Sequence, residues 1–504
     1  MKASIYPGVA TGVWLLAAFL FFFRIGHHSY WMDELQTAEM IGHCTQSQIW
    51  NPSTGSDSEQ FLTFGFLVPY YSAAKAWSGV FGTSEAAVRS LSAAGALIAL
   101  AMILWLGPER WGLGRRASLL SGILFALSPM MLWYAQEARY YGLLQPFALA
   151  LAWFYLGFWQ TRSLRWLVAW SVCSVVSLTI HPFMIFVIVA LSIHGVCTCL
   201  VRRLRIRLSW VAAHAVVAAV FLAMLWPLWE AHKRIKAHED YSKVTDELIP
   251  WKVMSNFLCG VYEHPFALLA LLLLVSATAL LVLHTREAWK QMTGGGSEKA
   301  PGGDPMLWIA AALGGCLLMA VVSIYRPIMV EGKKYEIIFF APWCVCMGSA
   351  LASWRTPRPG VALFVGLLAI NTFFTDQLYY FEPQKQNWRL AGYLVRQEGM
   401  EGDVWIHQGT WRAFVSEYYA AGGSVRVNDV LWKPPDLERG VPDKVKGARR
   451  VWMVKTGGIA EAYEAKLQEA GFKRVQTWVL PSGTAFTTQL WLFDRDGGSG
   501  SAKK

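Results

Sequence analysis

The chain has 504 residues, of which 55% are hydrophobic and 16% charged, and its mean hydropathy is +0.33. This composition is too apolar for an ordinary soluble enzyme. The formal net charge of +11 does not indicate a nucleic-acid partner, because the basic residues lie in short loops between apolar runs. Basic residues in such loops orient a membrane protein and contact anionic lipid headgroups.

Long apolar stretches predict about eleven transmembrane helices. Each stretch approaches or reaches the roughly 20 residues that cross a bilayer. The first is followed by RIGHHSYWMDE, which lacks a small-residue cleavage pattern, so we interpret it as a retained anchor. The stretches lie near residues 8–23, 86–106, 117–133, 141–160, 166–180, 183–200, 208–228, 265–283, 306–324, 337–352 and 361–375.

Residues 61–83 form an ambiguous segment, and the charge of the loops decides its interpretation. If this segment does not span and the N-terminus is cytoplasmic, the basic loops fall on the cytoplasmic side, as the positive-inside rule requires. If it spans, these loops move to the outer face. We therefore interpret 61–83 as an interfacial or re-entrant helix in a first outer loop over 24–85.

The C-terminal part predicts a different kind of structure. Helix-like segments begin at Asn387 and lie at 411–420, and IAEAYEAKLQEAG is a third. They alternate with the strand-like segments VWIHQ at 404–408, VWMVK at 451–455 and RVQTWVL. This alternation predicts a small extracytoplasmic α/β domain. The expected division is a transmembrane domain over 1–378, the α/β domain over 379–495 and a flexible tail over 496–504.

An acidic pair, Asp33 and Glu34, lies in SYWMDELQTAEM about ten residues beyond the first apolar run. Carboxylates so close to the hydrocarbon core are partly desolvated, and one of them could act as a general base. The alternative is a helix start, where an acidic side chain stabilises the helix dipole.

A second charged motif is Glu137 and Arg139 in SPMMLWYAQEARYYGLLQPF, at a tight outer turn between two predicted spans. Ionisable residues at membrane level are candidate functional residues. The alternative is an internal ion pair of Glu137 with Arg139, flanked by Tyr134, Tyr140 and Tyr141 as interface anchors.

Together, the two motifs resemble the bacterial branch of the protein mannosyltransferase superfamily. The W-x-D-E pattern and S-P-x-x-x-W-Y-A-Q-E-A-R-Y-Y carry the resemblance, and residues 86–116 and NWRLAGYL at 387–394 also resemble that family. The family has the C-type glycosyltransferase (GT-C) fold and includes the aminoarabinose transferases that modify lipid A. The resemblance implies that Asp33 is the base and that Glu34 and Glu137 occupy family acidic positions.

Two departures from the family pattern concern substrate contacts. A Pro-Pro pair that often leads into the interfacial helix is replaced here by SEQFLTFGFLVPYY. An Arg-Tyr pair of the late outer loop is matched by Lys334 and Tyr335. A cation is retained at that position, but the bidentate contact of an arginine is lost.

The resemblance and the outer location predict a polyprenyl-phosphate sugar donor, because nucleotide sugars are absent outside a bacterial plasma (inner) membrane. A carboxylate, Asp33, would take the proton of the acceptor hydroxyl. Cations would stabilise the departing phosphate, although cations in such loops also bind ordinary lipid headgroups. The candidate substrate-binding residues are Glu137, Arg139, Tyr140, His181, Arg326, Lys333, Lys334 and Tyr335.

Several alternatives stay open. A divalent cation, Mg²⁺ or Mn²⁺, held by Asp33 and Glu137 is conceivable from oligosaccharyl relatives, but the chain has no obvious D-x-D motif. The acceptor could be an envelope glycan, a glycolipid or a protein. A transporter or flippase of lipid-linked sugars is a rival function, although we find no internal repeat of the transporter kind. A membrane-anchored scaffold whose C-terminal domain does the work is another.

Overall fold

The computed structural model describes residues 4–50, 67–235, 250–260, 267–293, 304–325, 335–353, 358–408, 418–419, 425–430, 441, 443–455, 460–482 and 488–495. Predictions on Arg326, Lys333 and Lys334, and on most of 411–420, lie outside these residues. The tail over 496–504 does as well.

Most of the described chain is α-helical, and the helices before residue 382 account for every predicted span. Their bounds are Tyr6–Phe22, Met32–His43, Gln46–Trp50, Val68–Phe81, Glu85–Ala101 with the π-turn Met102–Leu106, Gly114–Ala126, Pro129–Ala135, Tyr141–Thr161, Leu164–Ile180, Met184–Val201, Leu208–Ile235, Pro250–Cys259, Ala267–Thr293, Pro305–Ile309 with the π-turn Ala310–Gly314 and Gly315–Tyr325, the 3₁₀ turn Glu336–Phe339 with Phe340–Ala352, and Arg358–Phe381.

Seven described helices are long and apolar enough to cross a membrane, and a bent pair brings the number to eight. Three further apolar helices, Tyr6–Phe22, Leu164–Ile180 and Glu336–Ala352, are shorter. At 1.5 Å per residue, 17 residues extend about 25 Å, close to the roughly 30 Å hydrocarbon core. The chain is therefore a multi-pass helical membrane protein, as the sequence predicts.

Two of the long helices carry the clearest sign of a lipid environment. Only 11% of the apolar window Leu208–Leu225 and 17% of the window in Ala267–Thr293 are buried within the protein. Large side chains such as Leu222, Leu268 and Leu283 are more than 60% exposed. A continuous apolar surface of this kind is unstable in water and is expected where a helix faces lipid.

The predicted single span over 117–133 is wrong in one respect, because it consists of two helices. Gly114–Ala126 and Pro129–Ala135 meet at a bend of 63°. Pro129 has no N–H to continue the first helix, and the Ser128 hydroxyl accepts the N–H of Met131 at 3.3 Å to begin the second. The bend redirects the chain at the start of the second charged motif.

The ambiguous segment 61–83 contains one described helix, Val68–Phe81. Its 14 residues extend about 21 Å at 1.5 Å per residue, which is too short for the hydrocarbon core. Its length therefore agrees with the predicted interfacial helix. The part over 61–66 lies outside the described residues.

The chain forms two compact units. The first comprises Met1–Phe23, Thr45–Val80 and Arg89–Asp376, and the second comprises Arg24–Cys44, Phe81–Val88 and Gln377–Lys504. Residues 24–31, the linker between the first apolar helix and the helix Met32–His43, thus belong to the same unit as the C-terminal part of the chain.

The second unit contains the strands β1 Val404–Gln408, β2 Arg426–Val430, β3 Arg450–Lys455, β4 Lys473–Leu480 and β5 Thr488–Asp494. These five strands form one sheet of order β2-β1-β3-β5-β4. Strand β1 pairs in parallel with β2 and β3, and β5 pairs antiparallel with β3 and β4. The helices Trp388–Glu398 and Ala460–Glu469 belong to the same unit.

The described elements of this α/β part confirm the predicted strands at 404–408, 451–455 and RVQTWVL and the helices in NWRLAGYL and IAEAYEAKLQEAG. The predicted helix over 411–420 lies largely outside the described residues. Val404 and Ile406 of β1 and Val451 and Met453 of β3 are buried together with Tyr463 of the last helix. The alternating apolar positions of the parallel strands thus face one layer of helix. Strands β2 and β5 were not predicted from the sequence.

Candidate active site

The first acidic motif begins the helix Met32–His43 in the second unit. The carboxylate of Glu34 accepts the N–H of Trp31 at 3.3 Å, and the N–H of Glu34 donates to the carbonyl of Trp31 at 2.8 Å. This is half of a capping box, because an indole side chain offers no acceptor for the other half. The motif therefore lies at the start of a helix, and Glu34 takes part in capping it.

Glu34 also has a buried counter-ion that the sequence did not predict. The Nζ atom of Lys385 lies 3.5 Å from a carboxylate oxygen of Glu34, and both side chains are 0% exposed. The ammonium group also lies 6.0 Å from the ring centroid of Trp31. Burial of one of these charges without the other would cost several kcal/mol, so the pair constrains both segments.

The linker before the motif is fixed by the segment that follows the last span. Ser29 donates its hydroxyl to the carbonyl of Gln386 and accepts the N–H of Trp388 at 3.2 Å. A ring nitrogen of His28 lies 2.8 Å from the carbonyl oxygen of Tyr379. The carbonyls of Tyr379 and Gln386 and the N–H of Trp388 thereby find partners within the unit.

A second set of contacts converges on Glu85. One carboxylate oxygen accepts from Arg389 and from the hydroxyl of Tyr419, both at 2.8 Å. Arg389 also donates to the carbonyls of Gly26 and His27 at 2.9 Å. The hydroxyl of Tyr419 accepts the N–H of Tyr30 at 2.8 Å, so this network holds the linker along its length.

Asp33 has a different setting from its neighbour. Its side chain is half-buried, whereas Glu34 is fully buried. Consecutive residues of a helix point about 100° apart, so the two carboxylates of the first turn face different directions. Negative charge at this position is favoured by the partial positive charge of the helix N-terminus.

The second charged motif lies in the first unit, in the turn after the helix Pro129–Ala135. Glu137 is 0% and Arg139 7% exposed. Arg139 donates to the hydroxyl of Tyr71 at 3.3 Å, and its guanidinium carbon lies 5.1 Å from the ring centroid of Tyr140. A buried, planar, fully charged donor of this kind suits an anionic ligand.

The turn is held at both ends. The side-chain amide of Gln136 donates to three carbonyls at the end of the helix Tyr6–Phe22, at distances of 2.9 to 3.3 Å. Ser92 donates to the carbonyl of Tyr134 at 2.9 Å and accepts the N–H of Gly142 at 3.0 Å. A Cβ atom on Gly142 would lie 2.0 Å from the carbonyl oxygen of Ser92, so the turn requires glycine there.

Aromatic rings surround the turn in the first unit. The Tyr140 ring lies 4.8 Å from His181 and 5.8 Å from Tyr70, and His181 lies 5.5 Å from Tyr335. The Nδ1 atom of His181 accepts the N–H of Phe183 at 3.2 Å. Four of the predicted substrate-binding residues therefore belong to one neighbourhood: Arg139, Tyr140, His181 and Tyr335.

A fully buried carboxylate, Glu336, follows Tyr335 and was not singled out from the sequence. It accepts a hydrogen bond from the side-chain amide of Asn256 at 2.9 Å. Gln145 binds the same turn, donating to the carbonyl of Ile337 at 2.9 Å and accepting the N–H of Ala341 at 3.1 Å. The backbone that presents Tyr335 is thus fixed from two sides.

For a metal, the described residues contain no group of three or more His, Cys, Asp or Glu side chains that could hold an ion. Asp33 belongs to the second unit and Glu137 to the first. The metal site conceived from these two residues stays a prediction.

No family model and no curated protein matches the chain. Among solved structures, the chain is similar to the crystal structure of ArnT from Cupriavidus metallidurans in the apo state. The TM-score is 0.42 and the identity 14%, over 99% of this chain and 99% of that chain. At this score the similarity carries no argument about function, which is inferred below from the residues of the chain.

Proposed function

We propose that the protein is a glycosyltransferase that moves a sugar from a polyprenyl-phosphate carrier to an acceptor hydroxyl. The proposed reaction takes place at the outer face of a bacterial plasma membrane. The acceptor is an envelope glycan, a lipid or a protein, and Asp33 is the general base. The setting of Asp33, half-buried at the first turn of a helix after the first apolar helix, is the observation that supports this proposal best.

Asp33 is better suited to the role of base than its neighbour. Glu34 is fully buried and accepts from Trp31 while lying beside Lys385, so it cannot approach a substrate hydroxyl without losing those contacts. Asp33 is partly exposed and can accept a proton from a hydroxyl within hydrogen-bond reach.

The neighbourhood of Arg139 supports a role in binding the donor. A lipid-linked sugar presents a phosphate and a pyranose or furanose ring. Arg139 can contact phosphate oxygens bidentately, and the rings of Tyr140, His181 and Tyr335 offer apolar faces. We propose that Arg326, Lys333 and Lys334 supply further positive charge for the departing phosphate.

The test is a transfer assay with purified protein in detergent. Synthetic polyprenyl-phosphate sugars are offered with envelope extracts as acceptors, and nucleotide sugars serve as control donors. Divalent cations are added or removed with chelator. We expect labelled sugar to enter acceptor only from the lipid donor. A flippase only moves its lipid between the two sides of a membrane, so in detergent solution it would form no glycosylated acceptor. Absence of labelled acceptor with the lipid donor would therefore overturn the proposal.

A further inference from the structure

We propose that Lys385 is a positioning residue for the first acidic motif: it compensates the buried charge of Glu34 and so fixes the helix turn that carries Asp33. This inference rests on the proposed function, because it assigns Lys385 a part in the same site. It also assigns Glu34 a positioning role in place of direct catalysis.

Glu34 and Lys385 are buried together, so each charge depends on the other. The side chains of Glu34 and Lys385 are both 0% exposed, with 3.5 Å between Nζ and the carboxylate oxygen. That same oxygen accepts the N–H of Trp31, so the charge of Glu34 is tied to the first hydrogen bond of the helix. A carboxylate buried without a counter-ion takes up a proton or moves toward water, and either change would disturb this turn.

Lys385 is held in place by the residues that follow it in the chain. The next residue, Gln386, accepts from Ser29 through its carbonyl and from the Trp388 indole at 3.0 Å through its side chain. Trp388 donates its own N–H to Ser29. The backbone beside Lys385 is therefore fixed to the linker that precedes the motif, and the ammonium group has a defined position opposite Glu34.

The position of Asp33 depends on the helix turn that Glu34 and Lys385 fix. A residue adjacent to Glu34 in the first turn moves when that turn moves. A displacement of about 1 Å at a reacting group can lower the rate about 100-fold. Loss of the Lys385 charge should therefore lower kcat, while the KM for the donor changes little because no donor-binding group is removed.

The experiment compares Lys385→Met, Glu34→Gln, the double variant Glu34→Gln/Lys385→Met, and Asp33→Asn. The exposed Lys446→Met is the matched control. We expect Lys385→Met to lower kcat about 100-fold with the donor KM within about twofold of wild type. We expect the double variant to recover at least about tenfold of the lost kcat, because a neutral amide at position 34 still accepts from Trp31 and leaves no buried charge.

Wild-type kcat in Lys385→Met, or a double variant as inactive as Asp33→Asn, would overturn the proposal. If Lys385→Met does not fold, the kcat of the double variant is compared with that of Asp33→Asn, and a double variant as inactive as Asp33→Asn still overturns the proposal. Thermal unfolding of the same variants needs no substrate. If Lys385→Met lowers the Tm and the double variant restores it, the buried pair is supported, whether or not wild type transfers sugar. Absence of transfer by wild type together with this Tm result would refute only the proposed function. Additive Tm shifts would refute the pairing.

Discussion

Asp33 and Glu34 are neighbours in the chain with different surroundings. The carboxylate of Glu34 is buried against Lys385, and that of Asp33 is half-exposed on another side of the same helical turn. A motif of two acidic residues can therefore combine a chemical group with a group that fixes its geometry. The sequence predicts a site at this pair, but it could not predict the different surroundings of the two carboxylates, because Lys385 is far away in the chain.

Arg139 gives a prediction about donor affinity. Arg139→Lys keeps the positive charge but loses the planar fork that can hold two phosphate oxygens. We expect the KM for the lipid donor to rise about tenfold, the size of one lost hydrogen bond to a charged group. Donor titrations in the transfer assay measure this change.

Tyr71→Phe is the matched control for Arg139, because it removes only the hydroxyl that accepts from the guanidinium at 3.3 Å. Because the planar guanidinium of Arg139 stays in place, Tyr71→Phe should raise the donor KM by no more than about threefold, which is clearly less than Arg139→Lys. An unchanged donor KM in Arg139→Lys would remove Arg139 from the donor site.

At the scale of elements, the turn that carries Glu137 and Arg139 depends on a close helix approach at Gly142. A methyl group there would meet the carbonyl oxygen of Ser92 at 2.0 Å. We expect Gly142→Ala to lower the unfolding free energy by about 1–3 kcal/mol, the usual cost of overpacking, and to lower the Tm measured in detergent.

The matched control is Gly366→Ala, in the helix Arg358–Phe381, where an added Cβ meets no atom within 4 Å. Its Tm should equal or exceed that of wild type, because alanine favours helix more than glycine. Equal Tm values for the two variants would show that the close approach at Gly142 does not constrain the turn.

The elements that the sequence predicts correctly are those with a strong hydropathy signal. Every predicted span has a helix, and the apolar strand over 404–408 has the predicted bounds. Hydropathy could not reveal the bend between Gly114–Ala126 and Pro129–Ala135. The bend depends on the missing N–H of Pro129, which does not change the apolar character of the run.

Strands β2 and β5 were missed for a related reason. β2 reads RVNDV, and Asn and Asp are poor strand formers by themselves. β5 pairs with both β3 and β4. This pairing depends on residues elsewhere in the chain, so the sequence of β5 alone does not predict it. The pairs Glu34 with Lys385 and Glu85 with Arg389 are equally non-local.

The loop charges of the whole molecule predict that the C-terminal α/β part is outside and that the basic loop with Arg202, Arg203, Arg205 and Arg207 is inside. Glu398→Cys and Arg205→Cys place thiols at exposed positions in these two regions. We expect a membrane-impermeant maleimide to label the first variant in intact spheroplasts and the second only after permeabilisation. The reverse pattern would place Asp33 in the cytoplasm and contradict the use of an outer lipid-linked donor.

In the proposed reaction, Asp33 takes the proton of the acceptor hydroxyl while the sugar is transferred from its lipid carrier. The most direct measurement is mass spectrometry of acceptor after incubation with a polyprenyl-phosphate sugar and purified wild type, Asp33→Asn or the exposed control Glu398→Gln. We expect one added sugar with wild type and control, and a rate at least about 100-fold lower with a folded Asp33→Asn. Transfer by Asp33→Asn at the wild-type rate would contradict this account.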